Sequence, residues 1–340
     1  MKFTQIVIPA TNVMSLCWCG DALIDWVRGG TIYYLDGKQK ESRITWAFPF
    51  DAACATKDGR FAVIYQRLGT KALLLREGKI LRELNRSFYQ AHVYEYPVGI
   101  WQTKENSTLI AHCPEDYCRI DIEEAESGVR LTGGIRKPED FFHSRLMINA
   151  AGTRLLSAGW RWHPWDSVVT FAIDEALRNP MHLDHGFSTP TSSNIGLAEE
   201  SSGCWQTNER LIIGASAEEE DPEEIAAISI GEPRLHSKGI AVYDVVERKF
   251  TQSVILNDLP GTIMPIGKDH VVCFYQYPKV ISLHSGKTVM QWEDIYSGDQ
   301  KSSILLNSMS LPPLALDPEN HRFAVFGPGG IKVIQVDLTE

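Results

Sequence analysis

Two short segments of this sequence carry the side chains best suited to acid–base chemistry. One places His182, Asp184 and His185 within four residues, and the other places His163 three residues before Asp166. A histidine supported by a nearby carboxylate can serve as a general base. These residues therefore suggest a hydrolase or lyase, with His163, His182 or His185 as the base and Asp166 or Asp184 as its partner.

The same residue types could also ligate a metal ion. Two histidines and a carboxylate are ligand types of Zn²⁺ and other transition metals, but no third histidine or cysteine follows His185 at a suitable spacing. Cys113 and Cys118 are five residues apart and so do not form a Cys-x-x-Cys pair. We therefore expect structural roles for His182, His185 and both cysteines, and no bound metal or cofactor.

Motifs for nucleophilic or phosphate chemistry are missing from the sequence. It contains no Gly-x-Ser-x-Gly elbow, no phosphate-cradling glycine loop and no His-Glu-x-x-His pair. The glycine-rich stretch Gly327–Gly330 stands between two apolar runs, which is typical of a hairpin turn. The sequence therefore favours a non-catalytic protein over an enzyme.

The most unusual local composition is that of Ser157–Asp166, SAGWRWHPWD, which holds three tryptophans in ten residues. The flanking stretches RLLSAG and DSVVTFAID each look like a complete strand, so the segment is predicted to be a connection. Trp160 and Trp162 would point to one side of an extended chain and Arg161 to the other. Tryptophan and arginine are enriched at interface hot spots. The segment suggests a docking surface, and packing against its own strands is the alternative.

The overall composition is that of a globular protein with a sizeable core. Of 340 residues, 44% are hydrophobic and 22% charged, and no stretch reaches the roughly 18 apolar residues that a membrane helix requires. The first residues, MKFTQIVIPATN, lack the apolar core and cleavage site of a secretory signal. Seven cysteines without a framework spacing fit reduced thiols. We expect a cytoplasmic protein that binds no membrane.

The charge of the chain bears on its partners. The 33 Lys and Arg residues against 43 Asp and Glu give a formal net charge of −10. Such a protein is repelled by phosphate backbones at long range, and the sequence has no evident local basic patch. We therefore expect no nucleic-acid partner. A protein or peptide partner is expected instead, bound by a chain that is monomeric by itself.

A repeat runs through the whole chain: an apolar strand, a polar turn, a very apolar strand, a variable connection and an alternating strand. Four-stranded propeller blades are about 40–45 residues long, and Asp, Asn and Gly suit tight turns. The repeat predicts one all-β domain over 1–340, a seven-bladed β-propeller of four-stranded antiparallel blades. The turns, spaced 37 to 61 residues apart, centre on Asp21, Asp58, Asn106, Gly152, Asn208, Asp269 and Asn320.

Individual units look familiar. ATKDGRFAVIY and LALDPENHRFAVFG resemble units of WD40-like and YVTN-type β-propellers, and the resemblance covers nearly all of the chain. No unit has the Gly-His opening and Trp-Asp ending of true WD40 repeats; the nearest endings are AVYD at Ala241–Asp244 and IQVD at Ile334–Asp337. The resemblance implies the fold and no particular family. Because propeller enzymes can assemble a site from single residues on separate blades, a hydrolase, a lyase or a small-molecule sensor with a site at the channel mouth stays the alternative.

The ends of the repeat predict how the ring closes. The last unit has room for only three strands, while FTQIVIPA near the start has no partner in the first unit. Residues 1–12 are therefore predicted to complete the last blade, which would protect sheet edges from association. The fifth unit is lengthened by an acidic loop insertion at 216–239, in which a short helix is predicted after Pro222 and Glu218–Glu224 is predicted to be solvated.

In a propeller, the connections between second and third strands emerge on the same face as the connections between blades. The side chains on this loop face suggest a non-catalytic scaffold that docks one protein or peptide partner, as an adaptor or as an immunity or antitoxin-type protein that neutralises a basic toxin or enzyme. For Trp26 and Tyr65, packing between blades is an equally good interpretation. The candidates are Trp26, Arg28, Tyr65, Arg67, His112, Glu115, Tyr117, Trp160, Arg161, Trp162, His163, Trp165, Tyr275 and Tyr277.

Overall fold

The computed structural model describes residues 1–188, 198–218, 223, 233–305 and 309–338. Within these residues the strands form seven antiparallel sheets. The first strands of neighbouring sheets touch one another around a ring, and one apolar cluster joins the sixth sheet to the seventh. The chain is therefore a seven-bladed β-propeller, as the repeat predicted.

The first four blades follow the first strand of the chain in order. The strand β1 spans Lys2–Ile8. Blade 1 comprises β2 (Cys17–Cys19), β3 (Ala22–Asp25), β4 (Thr31–Tyr34) and β5 (Gln39–Lys40); blade 2 comprises β6 (Ala52–Ala55), β7 (Phe61–Tyr65), β8 (Lys71–Arg76) and β9 (Lys79–Asn85). Blade 3 comprises β10 (Val98–Gln102), β11 (Thr108–His112) and β12 (Asp121–Glu124); blade 4 comprises β13 (Leu146–Ile148), β14 (Arg154–Arg161), β15 (Trp165–Ala172) and β16 (Phe187–Ser188).

The remaining three blades complete the ring. Blade 5 comprises β17 (Glu200–Trp205), β18 (Arg210–Ala215), β19 (Gly239–Asp244) and β20 (Lys249–Ile255); blade 6 comprises β21 (Ile263–Ile266), β22 (His270–Cys273), β23 (Lys279–Ser282) and β24 (Thr288–Gln291). Blade 7 comprises β25 (Leu314–Asp317), β26 (Arg322–Gly327) and β27 (Gly330–Asp337), together with β1.

The second strands are the most deeply buried elements, because adjacent blades cover both of their faces. The strands β7, FAVIY, and β11, TLIAH, are buried at every position, whereas both residues of the outer strand β5 are exposed. Strands covered on both faces read as continuous apolar runs rather than as alternating ones. The very apolar run of each repeat unit is this second strand.

The ring is closed by the N-terminal strand, as predicted. The strand β1 pairs antiparallel with β27, in a register that runs from Lys2 opposite Asp337 to Ile8 opposite Ile331. Ile8 is fully buried. The pairing joins the two ends of the chain in one sheet and covers the edge of β27, which would otherwise offer unpaired backbone groups to another chain.

Blade 3 departs from the four-stranded pattern. Its sheet has three strands, and the position of the fourth is taken by a segment that makes a single bridge, between Glu123 and Arg130. The Leu131 amide still donates to the Ile122 carbonyl at 2.8 Å. The Ile122 amide, however, donates to the Thr132 hydroxyl, also at 2.8 Å. Because a side chain replaces a backbone acceptor there, the ladder does not continue.

Blade 4 contains two helices that the sequence interpretation did not predict. The helix α1 spans Ile173–Arg178, and a 3₁₀-helix follows at Pro180–Leu183. The α-helix has acidic residues in its first turn and Arg178 in its last, which suits the helix dipole. The apolar run of β15 passes directly into α1, so the sequence does not show where the strand pattern ends and the helical pattern begins. The helix predicted after Pro222 and most of the acidic insertion lie outside the described residues.

The seven predicted turns all connect the first and second strands of their blades. Two of them show why these residue types are needed, since Asn106 (φ 63°) and Gly152 (φ 71°) adopt the left-handed backbone conformation. Several turns also bind the neighbouring blade. The Gln102 amide donates to Asp58 Oδ2 at 2.6 Å, and Arg322 Nη1 donates to Asp21 Oδ1 at 2.9 Å. On the face opposite the loop face, neighbouring blades are therefore connected by hydrogen bonds.

Asn208 offers a test of these hydrogen bonds between blades. Its Oδ1 accepts the Ala151 amide at 3.0 Å across the junction of blades 4 and 5. We expect Asn208→Ala to lower the free energy of unfolding by about 1 kcal/mol, the usual net value of one hydrogen bond. Urea unfolding followed by circular dichroism measures the change. Glu83→Gln, on the exposed outer strand β9, is the control and should leave stability unchanged; an equal loss in both variants would contradict the junction's role.

No helix in the described part of the chain is long and apolar enough to span a membrane. The helical content there is confined to short segments, the longer of them α1 with 6 residues. The architecture of the described residues is otherwise that of strands, turns and the connections between blades.

Candidate functional site

The loop face gathers two kinds of connection, because the strands of each blade alternate in direction. The connections between second and third strands leave this face, and so do those that lead from one blade to the next. Among the latter, residues 86–97 join blades 2 and 3, and residues 131–145 join blades 3 and 4. The connections between blades carry much of the site. The sequence interpretation took its candidates only from the connections between second and third strands.

The tryptophan-rich segment is mostly strand, which corrects its interpretation as a connection. The strands β14 and β15 pair without interruption from Arg154 opposite Ala172 to Arg161 opposite Trp165. Only residues 162–164 form the turn, where His163 takes a positive φ of 82°. The hairpin is thus longer than the strands RLLSAG and DSVVTFAID that were recognised in the sequence. The reason is that the indole-bearing residues themselves join the ladder.

The indole of Trp160 is buried in an aromatic stack. The ring of Phe142 lies parallel to it, with centroids 3.7 Å apart and an angle of 8°. On its other face Phe142 stacks on Tyr117, with centroids 4.2 Å apart and an angle of 20°. Tyr94 closes the cluster edge-on to both Phe142 and Trp160. Trp160 is only 2% exposed, so it supports the surface above it and does not itself contact solvent.

Trp162 lies on the outside of this stack. Its ring is nearly perpendicular to those of Phe142 and Trp160, with centroid distances of 5.5 and 5.4 Å. Since both faces of Phe142 are occupied, Trp162 meets the edges of the stacked rings. The side of the indole away from the stack remains open, and Trp162 is 43% exposed. Trp160 and Trp162 thus face the same side of the hairpin.

Arg161 faces the other side of the hairpin. Its guanidinium lies over the ring of Phe141, 5.2 Å from the centroid, and 3.8 Å from a carboxylate oxygen of Glu139. Trp165 is partly buried, while His163 is exposed at the tip of the turn. The five predicted residues of this segment therefore divide into a buried support, an exposed indole, a partly exposed cation and two flanking positions.

Two neighbouring connections extend the exposed rings of the site. Tyr89 lies 5.1 Å from Tyr117 and is 40% exposed, and the adjacent Phe88 is 85% exposed. Together with Tyr117 and Trp162 these residues form what we call the aromatic surface, contributed by the connections around blades 3 and 4. The sequence interpretation missed Phe88, Tyr89 and Phe142. The adjacent aromatic residues in SFY and DFF, which lie in connections between blades, could have indicated them.

Arg86 fixes the connection that presents Phe88 and Tyr89. The side chain is buried, its guanidinium lies 4.4 Å from the ring centroid of Tyr94, and burial lowers its pKa. One cation thus ties together the start and the end of the connection. The acceptors of its hydrogen bonds are the carbonyl oxygens of Arg67, Gly69, Ala91, Tyr94 and Glu95.

The candidates on blades 1 and 2 are mostly packed away from solvent. Trp26 and Tyr65 are each 6% exposed, as expected for aromatic residues between blades. The Tyr65 hydroxyl donates to Glu95 Oε1 at 2.8 Å, and Arg67 Nη1 lies 3.4 Å from Glu95 Oε2. Arg28 is exposed at the turn between β3 and β4. These residues do not join the aromatic surface.

Tyr275 and Tyr277 lie between β22 and β23 of blade 6. Both side chains are partly buried. Tyr277 meets Tyr296 edge-on, with ring centroids 6.2 Å apart. Two blades lie between blade 6 and blade 3 on one side of the ring and three on the other, so this pair lies apart from the aromatic surface. The predicted residues thus form several groups on the loop face and not one continuous site.

The connection between blades 6 and 7 crosses the loop face to the opposite side. We call Ser302–Leu305 the strap, because the Ser303 amide lies 3.0 Å from each carboxylate oxygen of Asp166 in blade 4. The Leu305 amide donates to the Val93 carbonyl at 2.7 Å, and Ile304 forms a bridge with Tyr94. Arg145 donates to the Ser303 hydroxyl at 2.5 Å. The strap therefore spans the mouth of the central channel.

The carboxylate that holds the strap has an unusual environment. Asp166 is 1% exposed, and burial raises its pKa to about 7, with Arg145 opposing and Glu199 adding to the rise. The Arg145 guanidinium also donates to the carbonyl oxygens of Ser201 and Ala158. Asp166 thus binds a backbone amide and an arginine network, and it contacts none of the three candidate histidines among its described hydrogen bonds.

The histidines of the acid–base hypothesis point to separate partners. His182 Nδ1 lies 3.5 Å from Glu175, while His185 Nδ1 lies 3.2 Å from Glu139. Asp184 is buried and accepts from Arg136 Nε at 2.6 Å. The side chains of the HLDHG segment therefore make separate interactions within the loops around them. This agrees with the structural role that the spacing of its histidines indicated. Within the described ranges, no group of three or more metal-ligating side chains is present.

The two further candidates in blade 3, His112 and Glu115, each interact with charged side chains of that blade. His112 is 2% exposed, and its Nε2 lies 3.2 Å from Glu123. Burial acts to raise the Glu123 pKa, but His112 and Arg82 together outweigh it and lower the pKa to about 2. Glu115 is exposed and pairs with Arg130 at 2.6 Å. Cys113 and Cys118 are both free thiols.

A cavity of about 230 Å³ lies at the centre of the ring, lined by first strands of several blades. Its polar groups include Glu95, Arg67 and Arg145. Ser202 Oγ and Gln300 Nε2 also line it, and neither has a hydrogen-bond partner among the described residues. None of the described lining residues is a histidine, so the cavity does not unite the residues of the acid–base hypothesis.

Comparison with known proteins identifies the architecture alone. No family model matches the chain, and no curated protein matches it. Among solved structures it is similar to a chain of the mitotic checkpoint complex, with a TM-score of 0.60 and 10% identity, covering 98% of this chain and 91% of that one. It is also similar to the Cps50 (Swd1) β-propeller domain of Myceliophteria thermophila, with a TM-score of 0.55 and 11% identity, covering 98% of this chain and 100% of that one.

Proposed function

We propose that this propeller is a non-catalytic interaction protein that docks one protein or peptide partner through the aromatic surface. The observation that carries the proposal is the exposure of Trp162 against a rigid stack, with Phe88 exposed next to Tyr89 at the edge of the same surface. Trp162 is 43% and Phe88 85% exposed, and the rings that Trp162 contacts are packed at 3.7 and 4.2 Å. Large apolar side chains held rigidly at a surface lose little entropy on binding.

The position of the aromatic surface supports docking of one asymmetric partner. Its rings come from connections that differ in length and sequence, and the described residues of the other blades do not repeat this surface. The similar chain named above belongs to a structure described as a complex. A rigid disk that presents one off-centre apolar surface fits a single partner better than a ring of equivalent ligands.

A narrower form of this proposal is an adaptor or an immunity-type protein in the cytoplasm. The formal charge of −10 supports rapid encounter with a basic partner. We favour neutralisation of a basic toxin or enzyme within this class. The proposal of docking through the aromatic surface does not depend on it.

The test is quantitative capture of partners from the native cell lysate. We expect Phe88→Ala with Trp162→Ala to reduce recovery of a stoichiometric partner at least tenfold, since each is a large exposed ring. The matched control is Val246→Ala with Ile255→Ala, which removes two side chains of similar exposure, 57% and 62%, from blade 5. Recovery that falls equally in both double variants, or that is unchanged in the first, would overturn the proposal.

A further inference from the structure

Carboxylates stand around the aromatic surface. The Tyr117 hydroxyl donates to Asp140 Oδ1 at 2.9 Å, and Asp116 precedes Tyr117 in the chain. Burial, followed by the charges of Asp116 and Asp140, raises the pKa of the Cys118 thiol. The rings of the aromatic surface and these two acidic residues are therefore neighbours on the loop face.

The nearby carboxylates differ in how they are neutralised. Glu115 pairs with Arg130 at 2.6 Å and with Arg119 at 3.3 Å. Glu139 lies 3.2 Å from His185 and 3.8 Å from Arg161.

Asp140 differs from both glutamates. Its described hydrogen bond comes from the neutral Tyr117 hydroxyl, and within the described residues it forms no ion pair. Its side chain is exposed. One negative charge thus stands beside the exposed rings, and no cation in the described part of the chain forms an ion pair with it.

A positively charged side chain could interact with both the exposed rings and the Asp140 carboxylate. The face of an aromatic ring attracts a cation, most strongly the face of an indole, and a carboxylate accepts a charge-assisted hydrogen bond from it. Arginine adds a planar group that stacks on aromatic rings. An acidic segment would be repelled by the carboxylate, and a purely apolar segment would cover the rings but leave the carboxylate unpaired.

We propose that the aromatic surface receives a lysine or arginine side chain from a basic segment of the partner, with the cation against the exposed rings and paired with Asp140. This inference rests on the proposed docking function and gives the chemistry of the partner at that surface. It assigns Trp162 as the ring that the cation contacts and Asp140 as its counter-ion.

The probes are three labelled octapeptides, with Gly-Arg, Gly-Lys and Gly-Glu repeats, titrated against the full chain by fluorescence anisotropy at low salt. We expect the Gly-Arg peptide to bind, the Gly-Lys peptide to bind no more tightly, and the Gly-Glu peptide not to bind. Asp140→Asn and Trp162→Leu should each weaken binding of the Gly-Arg peptide about tenfold, equal to about 1.4 kcal/mol. Leucine keeps apolar area at position 162 and removes the π-system.

Glu83→Gln is the matched control, because it removes one exposed carboxylate from the outer strand of blade 2. Absence of binding by both basic peptides, equal binding by the acidic peptide, or an equal loss in Glu83→Gln and Asp140→Asn would overturn the inference. The docking proposal fails separately. If capture of the cellular partner is lost in Trp162→Ala but is unchanged in Asp140→Asn, docking stands and the cationic partner is wrong.

Discussion

Replacement of Trp160 by alanine is expected to lower the free energy of unfolding by about 3–5 kcal/mol, the usual cost of truncating a buried large aromatic side chain. The indole is 2% exposed, stacks on Phe142 at 3.7 Å and contacts Tyr94 edge-on. Removal leaves a cavity on one face of Phe142 while Tyr117 holds the other. The stack cannot collapse freely, so little of the loss is recovered.

Trp162→Ala is the matched comparison, since it lies two residues away on the same side of the hairpin. At 43% exposure it should change the free energy of unfolding by about 1 kcal/mol or less. Urea unfolding followed by circular dichroism measures both variants without relying on tryptophan fluorescence. Equal destabilisation by the two variants would show that the division into support and surface is wrong.

This difference decides which variants can report on binding. A Trp160→Ala variant would lose partner binding by loosening the stack even if Trp160 touches no partner, because Trp162 meets the edge of that ring at 5.4 Å between centroids. Trp162→Ala removes contact area and leaves the stack beneath it. Trp162 and Phe88 are therefore the positions at which a loss of binding can be read as a loss of contact.

The sequence predicted the fold because the relevant signals are local. The turn positions of Asn106 and Gly152 require positive φ, which asparagine and glycine adopt most readily, and the apolar run of β7 requires cover on both faces. Closure by β1 followed from counting strands in the last unit. Blade 3 was the exception because the Thr132 hydroxyl replaces a backbone acceptor, and nothing in a strand count predicts such a substitution.

The site was only partly predictable, because its organisation depends on distant contacts. Trp160 was predicted to be a partner-binding residue, but it is buried, and its burial depends on Phe142 and Tyr94, which come from two other connections. The strap depends on a hydrogen bond between Ser303 and Asp166, which are 137 residues apart. A single sequence carries no periodicity or motif that links such positions. Composition could therefore identify the hairpin but not which of its indoles is exposed.

Asp166→Asn is expected to change the pH dependence of stability. Burial raises the pKa of Asp166 from 3.8 to about 7, so between these values the folded protein holds a proton that the unfolded chain has released. Stability from this group is fully present below about pH 4 and is lost as the pH rises through about 7. At about 1.4 kcal/mol per pKa unit, the loss amounts to up to about 4 kcal/mol. Asparagine stays neutral and should not show it.

The measurement is the free energy of unfolding of wild type and Asp166→Asn in urea at several pH values between 4.5 and 8.5. The wild-type value minus the variant value should fall as the pH rises, and the fall isolates Asp166 from the other titrating groups. Glu83→Gln, an exposed carboxylate on β9, should give a nearly constant difference. A difference that rises with pH would mean that Arg145 outweighs burial and keeps Asp166 ionised, and the strap would then be held by a permanent ion pair. A falling difference means instead that burial of the Asp166 charge outweighs Arg145 and the hydrogen bonds to the strap, so the folded protein becomes less stable once Asp166 loses its proton.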